Sequence, residues 1–286
     1  VLKAKDCPEG MLALYKVFAS QHLVHRLIST SISYELTATS VTESTILRSN
    51  TQLTFLFKIY YEMFGRPFYE HAIKPIRQMV VSKGMLGIKN PEAGPPEDVL
   101  DMVNRVLNII FEGAPYVTPQ IRHLAAVLLN GASTILRTRR GVYNALSSLL
   151  FLRFTSAMIT DPSKFEEFDV NDNKYTILCS TLMQQIFSLQ FIGEKFQHLS
   201  GIGTTILDRY GEIIDFTYKV ADFHEIPEYD VPSDAEVHDS LVTLLRIVSQ
   251  SRENFIQQFT EIYENDVDRT GPAFAISNFL SHLFQY

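Results

Sequence analysis

The chain has 286 residues, of which 46% are hydrophobic and 20% charged, and its formal net charge is −7. That length supports one large domain with a sizeable core. The acidic balance argues against nucleic acid as the main partner, since phosphate binding needs a basic surface, and against simple attraction to an anionic membrane. Cys7 and Cys179 are the only cysteines, too few for a disulfide framework, so a reducing compartment is expected. The chain begins at a valine, and we expect it to be part of a longer protein whose targeting segments lie elsewhere.

Apolar residues recur at helical spacing along most of the chain, starting with the stripe Met11, Leu14, Val17, Phe18 and His22. His22 and His25 fall three apart on one expected helix. That spacing suits metal ligation, but no cysteine or acidic pair completes a set, so packing or surface roles are expected and no metal site is assigned. A short polar loop, Thr42–Asn50, carries Arg48; a lone loop arginine is ordinarily solvated. Lys89–Pro96 reads as a turn with Pro96 opening the next helix, whose stripe is Val99, Met102, Val103, Val106 and Ile109. Gly113–Pro115 ends that helix, and Thr118–Pro119 reads as an N-cap with proline at the first helical position. Arg137, Arg139 and Arg140 are expected at a helix C-terminus, where they would complement the dipole, with a docking patch as the alternative. Leu146–Phe154 is so apolar that the charge of Arg153 within it must be paired or hydrogen-bonded. The uncharged run Tyr175–Gly193 contains Ser180, Gln184, Gln185, Ser188 and Gln190, which would be costly in hydrocarbon, so a buried helix is expected. Between Lys219 and Arg246 acidic residues accumulate without a lysine or arginine, forming a solvated connection. It leads into a helix opened by the capping box Ser233–Glu236. Strand alternation and hairpin turns are scarce. The fold class is therefore all-α, a multi-helix domain of roughly nine to eleven helices.

Three segments carry a family resemblance. Thr45–Ile46–Leu47–Arg48–Ser49–Asn50–Thr51 resembles Thr-Leu-Phe-Arg-x-Asn-Ser, and the ungapped continuation supplies Phe64–Gly65, Phe68–Tyr69 and Pro75. Pro119–Gln120–Ile121–Arg122 resembles a Pro-x-Leu-Arg helix start. Phe151–Leu152–Arg153–Phe154, with Ile159 and Pro162, resembles Phe-Leu-Arg-Phe-x-x-Pro-Ala-Ile-x-x-Pro. In this order and spacing the segments resemble the catalytic domain of the Ras GTPase-activating proteins, from about Glu35 to Gln190 and more loosely beyond.

The resemblance implies a single domain over 1–286, with a catalytic core at about 35–195 and helical extensions at 1–34 and 196–286. It implies a GTPase activator rather than an enzyme in its own right. On this resemblance Arg48 is expected to be the arginine finger inserted into a Ras-like small GTPase in its GTP-bound state. Arg153, the second member of the catalytic pair, steadies the finger loop by bonding its carbonyls. Leu47, Asn50 and Thr51 shape that loop. Phe151, Leu152, Ser156, Thr181, Gln184 and Ser188 belong to the partner-binding surface. The chain needs no cofactor of its own, because GTP and Mg²⁺ sit on the partner, and no phosphate-cradling Gly-x-x-x-x-Gly-Lys loop is present. A cytoplasmic location follows, including the cytoplasmic face of the plasma membrane through a partner or missing domains.

Three departures stand out. Gln52–Leu53–Thr54–Phe55 replaces the Ser-Leu-Ala-x-Lys that usually continues the finger motif. Ser156–Ala157–Met158 replaces the Asn-Pro-Ala of the third motif, and Thr181 and Ser188 replace a lysine and an asparagine of the later helix. Acidic switch regions would lose an attraction at Thr181, so a divergent small GTPase is expected as partner. The alternative is a scaffold or effector that holds the GTP-bound GTPase without activating it.

Overall fold

The computed structural model describes residues 7–37, 47–83, 96–168, 173–189 and 201–250. Every regular element among them is helical, so the all-α expectation holds. In chain order the α-helices are α1 (Cys7–Ser20), α2 (Val24–Thr37), α3 (Gln52–Phe64), α4 (Arg66–Phe68), α5 (Lys74–Lys83), α6 (Pro96–Glu112), α7 (Pro119–Ile135), α8 (Arg139–Ser147), α9 (Ser156–Thr160), α10 (Asn173–Phe187), α11 (Gly201–Asp208), α12 (Tyr210–Ala221) and α13 (Asp234–Gln250). Two π-helical stretches, Tyr69–Ile73 and Ser148–Thr155, join α4 to α5 and α8 to α9. They explain why there are more segments than sequence periodicity suggests: each continuous rod is divided by a wider turn.

Contacts divide the chain into two compact units, Val1–Ser20 with Val231–Tyr286, and Gln21–Asp230. In the first, α1 packs on α13. Met11, Tyr15 and Ala19, at i, i+4 and i+8, form the buried face of α1. The face is rotated from the expected stripe. Leu14, Val17 and Phe18 are only half-buried, and His22 is exposed in a turn beyond the helix, at φ 56°. His22 and His25 therefore do not share a helix. Glu9 pairs with Arg246 at 2.7 Å and Lys16 with Glu236 at 3.0 Å. The capping box forms as expected: the Ser233 N–H donates to Glu236 at 3.0 Å and the Glu236 N–H to Ser233 Oγ at 3.4 Å. The Ser233 backbone and then Lys16 hold the Glu236 carboxyl down at about 2.

In the second unit, α2 packs on α7, α12 on α7 and α8, and the rod from α8 to α9 on both α3 and α10. That rod, Arg139–Thr160, is long and apolar enough to cross a membrane. Yet 72% of its most apolar window is buried inside the fold, so it reads as the core helix of a folded unit. Within the run Tyr175–Gly193, the part covered by α10 buries Cys179, Leu182, Met183, Ile186 and Phe187, as expected of a core helix; residues 190–193 lie outside the described residues.

Local signals explain several boundaries. Pro96 opens α6 and the chain leaves that helix after Glu112. Thr118 precedes Pro119 at the start of α7 but makes no cap bond; its hydroxyl donates to the Phe64 carbonyl at 3.2 Å, tying α7 to the end of α3. A Cβ on Gly65 would collide with the Met158 side chain and the Tyr61 carbonyl, so glycine lets α9 approach α3. The turn expected over Lys89–Pro96 lies outside the described residues up to position 95. The arginine cluster is not at a helix C-terminus. Arg137 follows α7, whereas Arg139 and Arg140 occupy the first turn of α8, where the dipole disfavours them. Thr138 caps that turn by accepting the Gly141 N–H at 2.9 Å.

Candidate functional site

The site is built where the loop ahead of α3 meets the π-helical stretch Ser148–Thr155. Thr51 caps α3 in a reciprocal box. Its side chain accepts the Thr54 N–H at 3.4 Å, and its own N–H donates to Thr54 Oγ1 at 2.8 Å. Threonine at N3 thus does the work usually given to glutamate. Upstream, Leu47 is 1% exposed and adopts φ 58°, the left-handed region, which costs a non-glycine residue about 1–2 kcal/mol. Burial of the leucine side chain, about 1.5–3 kcal/mol, offsets that cost and pins the loop from inside. Arg48, Ser49 and Asn50 follow and are exposed.

Arg153 holds this loop from the opposite side. Its Nε donates to the Leu47 carbonyl at 2.8 Å. One terminal nitrogen donates to the Arg48 carbonyl at 2.6 Å and the Ser49 carbonyl at 2.8 Å, and the other to Asn50 Oδ1 at 3.2 Å. A planar guanidinium can serve four acceptors in one plane, whereas a lysine ammonium presents its donors from a single point. The loop backbone is thereby fixed while the Arg48 side chain stays free to point outward.

The guanidinium sits on a π-helical turn, marked by the Ser156 N–H donating to the Phe151 carbonyl five residues back, and the Thr155 hydroxyl adds a bond to the Leu150 carbonyl at 2.7 Å. Such turns interrupt α-helices often at functional positions. Burial pushes the Arg153 guanidinium pKa down, and the nearby Glu35 carboxylate opposes that shift. Glu35 itself, on α2, is 5% exposed. Burial raises its pKa; a side-chain hydrogen bond with Thr51 and the charge of Arg153 pull it back.

In front of the loop lies a groove of about 400 Å³, with Arg48 on one side and Phe151 and Leu152 on the floor. Thr181, Gln184 and Ser188 of the α10 region form the far wall. The structure thus brings Arg48, Phe151, Leu152, Thr181, Gln184 and Ser188 to one groove, with Leu47, Asn50, Thr51 and Arg153 directly behind it. Ser156 is buried beneath it, where its hydroxyl bonds the Ser180 hydroxyl and accepts from Gln184 Nε2 at 2.6 Å. It fixes the wall from below instead of lining it. No proline stands in this stretch, and the serine hydroxyl takes up the α9–α10 contact.

Phe151 stacks on Phe187 at 8°, and the Tyr143 and Ser147 hydroxyls both donate to the Phe187 carbonyl at 2.7 Å, which locks the end of α10 against α8. Among the described residues Arg48 is the only charged side chain lining the groove; Ser147, Ser148 and Gln185 complete it. Those three and Glu35 are contributions that sequence reading missed. Glu35 had a signal: Ile28, Ile32 and Glu35 fall at i, i+4 and i+7 on the buried stripe of α2.

Arg122, of the middle motif, uses the same device elsewhere. It donates to the Val117 carbonyl at 3.0 Å and the Ala114 carbonyl at 2.6 Å, fixing the turn between α6 and α7. His25 stacks on His123, with Nδ1 3.0 Å from His123 Nε2, and His123 Nδ1 lies 2.8 Å from the Tyr229 hydroxyl. No group of three metal-ligating side chains occurs among the described residues. Comparison with protein-family models and with curated proteins returns no match.

Proposed function

We propose that this protein is a GTPase activator of the Ras GTPase-activating type, which inserts Arg48 into the active site of a Ras-like small GTPase. The observation that carries the reading is the four-bond clamp of Arg153 on residues 47–50, with the Arg48 side chain left exposed at the rim of a groove. A surface arginine with a solvated structural role needs no second arginine dedicated to its backbone.

The chemistry follows from where charge moves. In GTP hydrolysis negative charge shifts towards the oxygens of the leaving phosphate, and a guanidinium placed there from outside stabilises the transition state once water is excluded. The partner holds GTP and Mg²⁺ and supplies the attacking water. This chain contributes a cation, a fixed backbone and a surface that seals the site. In the Ras system an arginine finger is worth about 10³–10⁵-fold in rate, which sets the scale for what Arg48 is asked to supply. A cytoplasmic location and a GTP-loaded GTPase as partner go with this reading.

The test is single-turnover GTP hydrolysis on a panel of Ras-like GTPases. Arg48→Ala abolishes stimulation while equilibrium binding to the GTP-bound partner changes by only a few-fold. Stimulation that survives the substitution refutes the assignment. Binding that protects GTP instead of accelerating its loss would favour the scaffold reading.

A further inference from the structure

We infer that Glu35 is a positioning residue for the finger loop: its buried carboxylate braces the loop from the α2 side, as Arg153 does from the π-helical side. For turnover this rests on the proposed function; for the order of the loop it does not.

The geometry begins with burial. Glu35 is 5% exposed on a helix face otherwise made of Val24, Leu27, Ile28, Ile32 and Leu36. A fold that needed only packing there would carry another aliphatic side chain, because burying a carboxylate costs far more than burying a methylene. α2 packs on α3, whose cap is Thr51, and among the described residues the carboxylate acts on the side chain of Thr51 and the guanidinium of Arg153. Thr51 is the last loop residue and the cap of α3. With its oxygen accepting the Thr54 N–H, its hydroxyl proton is available to the carboxylate. Among the described residues the bonds from Arg153 to the loop go to uncharged acceptors, three carbonyls and an amide oxygen, and none of these balances its charge. Glu35 supplies that counter-charge through the loop.

The loop is therefore held between two partly or fully buried opposite charges, each desolvated at a cost. This arrangement differs from ordinary core packing in a measurable way. A structural residue stabilises the fold, and its replacement lowers the melting temperature. Burial disfavours the charged form of Glu35 and raises its pKa, so a carboxylate at this position costs the fold stability. A neutral isostere should therefore leave global stability unchanged or raise it, while loosening the loop.

The test uses the intact protein with Glu35→Gln and Glu35→Ala. Glutamine keeps the shape and an acceptor for Thr51 but removes the charge; alanine removes both. Three readouts are taken: thermal melting, hydrogen–deuterium exchange of the peptide covering Leu47–Thr54, and stimulated GTP hydrolysis. Glu35→Gln is expected to melt at or above the wild-type temperature and to exchange several-fold faster in that peptide alone. It should also lose about tenfold in kcat with KM for the GTPase unchanged, roughly one decade of transition-state stabilisation. Glu35→Ala is expected to exceed it in exchange and in lost kcat. Wild-type exchange in Glu35→Gln, or faster exchange spread through the whole unit with a lowered melting temperature, overturns the inference. Failure of the wild type to stimulate any GTPase counts against the proposed function alone, and the exchange readout then still decides the role of Glu35.

Discussion

Replacing Arg153 with lysine keeps a positive charge on the π-helical stretch but removes the fork that spans residues 47–50. Four acceptors now converge on the guanidinium, at 2.8, 2.6, 2.8 and 3.2 Å. An ammonium with donors at one point can keep one or two of them. Charge-assisted hydrogen bonds are worth about 1.5–3 kcal/mol each, but Arg153 is only half-buried and water replaces part of what is lost. We therefore assign Arg153→Lys a net loss of about 1.5–3 kcal/mol in loop order. At about 1.4 kcal/mol per decade this lowers kcat for stimulated hydrolysis by roughly 10–100-fold. On the proposed function KM should change little, because the α10 side of the groove is untouched. The assay is single-turnover GTP hydrolysis at saturating and subsaturating activator, with Arg153→Ala measured alongside and expected to fall further. An Arg153→Lys protein with kcat within about twofold of wild type would refute the reasoning, since charge alone would then suffice and the geometry of the clamp would be incidental.

Two further outcomes follow from other parts of the molecule. His123 is 4% exposed, and its pKa is lowered to about 4, chiefly by burial and then by His25. Its folded value lies below the ordinary 6.5, so the stability it contributes is complete above pH 6.5 and is lost as pH falls towards 4, at most about 3 kcal/mol in total. Urea unfolding across that range should show the loss in wild type and a flatter profile in His123→Gln; the wild-type minus variant difference isolates His123 from the opposite slope of Glu35. Among the described residues the groove carries no charge besides Arg48, so partner affinity should weaken only modestly, on the order of threefold, between roughly 50 and 300 mM salt. A steep salt dependence measured by equilibrium titration would mean that docking relies on charges outside the groove.

How much of this was legible in the sequence depends on the range over which each signal acts. Helix starts at Pro96 and Asp234 are written in neighbouring residues and could be read directly, whereas Thr51, expected only to shape the loop, also caps α3. The buried face of α1 could not, because which of several apolar residues turns inward is decided by α13, far away in sequence. The two π-helical stretches left no local trace. No proline or glycine pair marks Ser148–Thr155, and the wider turn is set by what packs around it, Phe187 among others. Arg153 was legible as a problem, a charge in an apolar helix, and its solution lay about a hundred residues upstream. The arginine cluster at 137–140 misled because helix polarity is invisible when the boundary between α7 and α8 falls inside the cluster.

The unfavourable terms at the site explain its design better than the favourable ones. A left-handed leucine, a half-buried guanidinium and a buried carboxylate each destabilise the folded chain, and all three converge on residues 47–51. Were the loop only a connection, an aliphatic residue at 35 and a glycine at 47 would remove two of these costs with little rearrangement. What the chain gains from them is a backbone fixed at three consecutive carbonyls, with an unconstrained arginine side chain between two of them. Fixing the main chain lowers the ordering entropy to be lost when the side chain is captured, about 1–2 kcal/mol for each residue already held. On the proposed function, leaving Arg48 itself free would keep the cation available to the partner's site. The groove shows the same division of labour: its walls are locked through Phe187 and Ser156, while the rest of its lining is neutral and offers shape instead of charge. On the proposed function rate and recognition would be carried by different residues, so substitutions behind the loop should move kcat and substitutions on α10 should move KM.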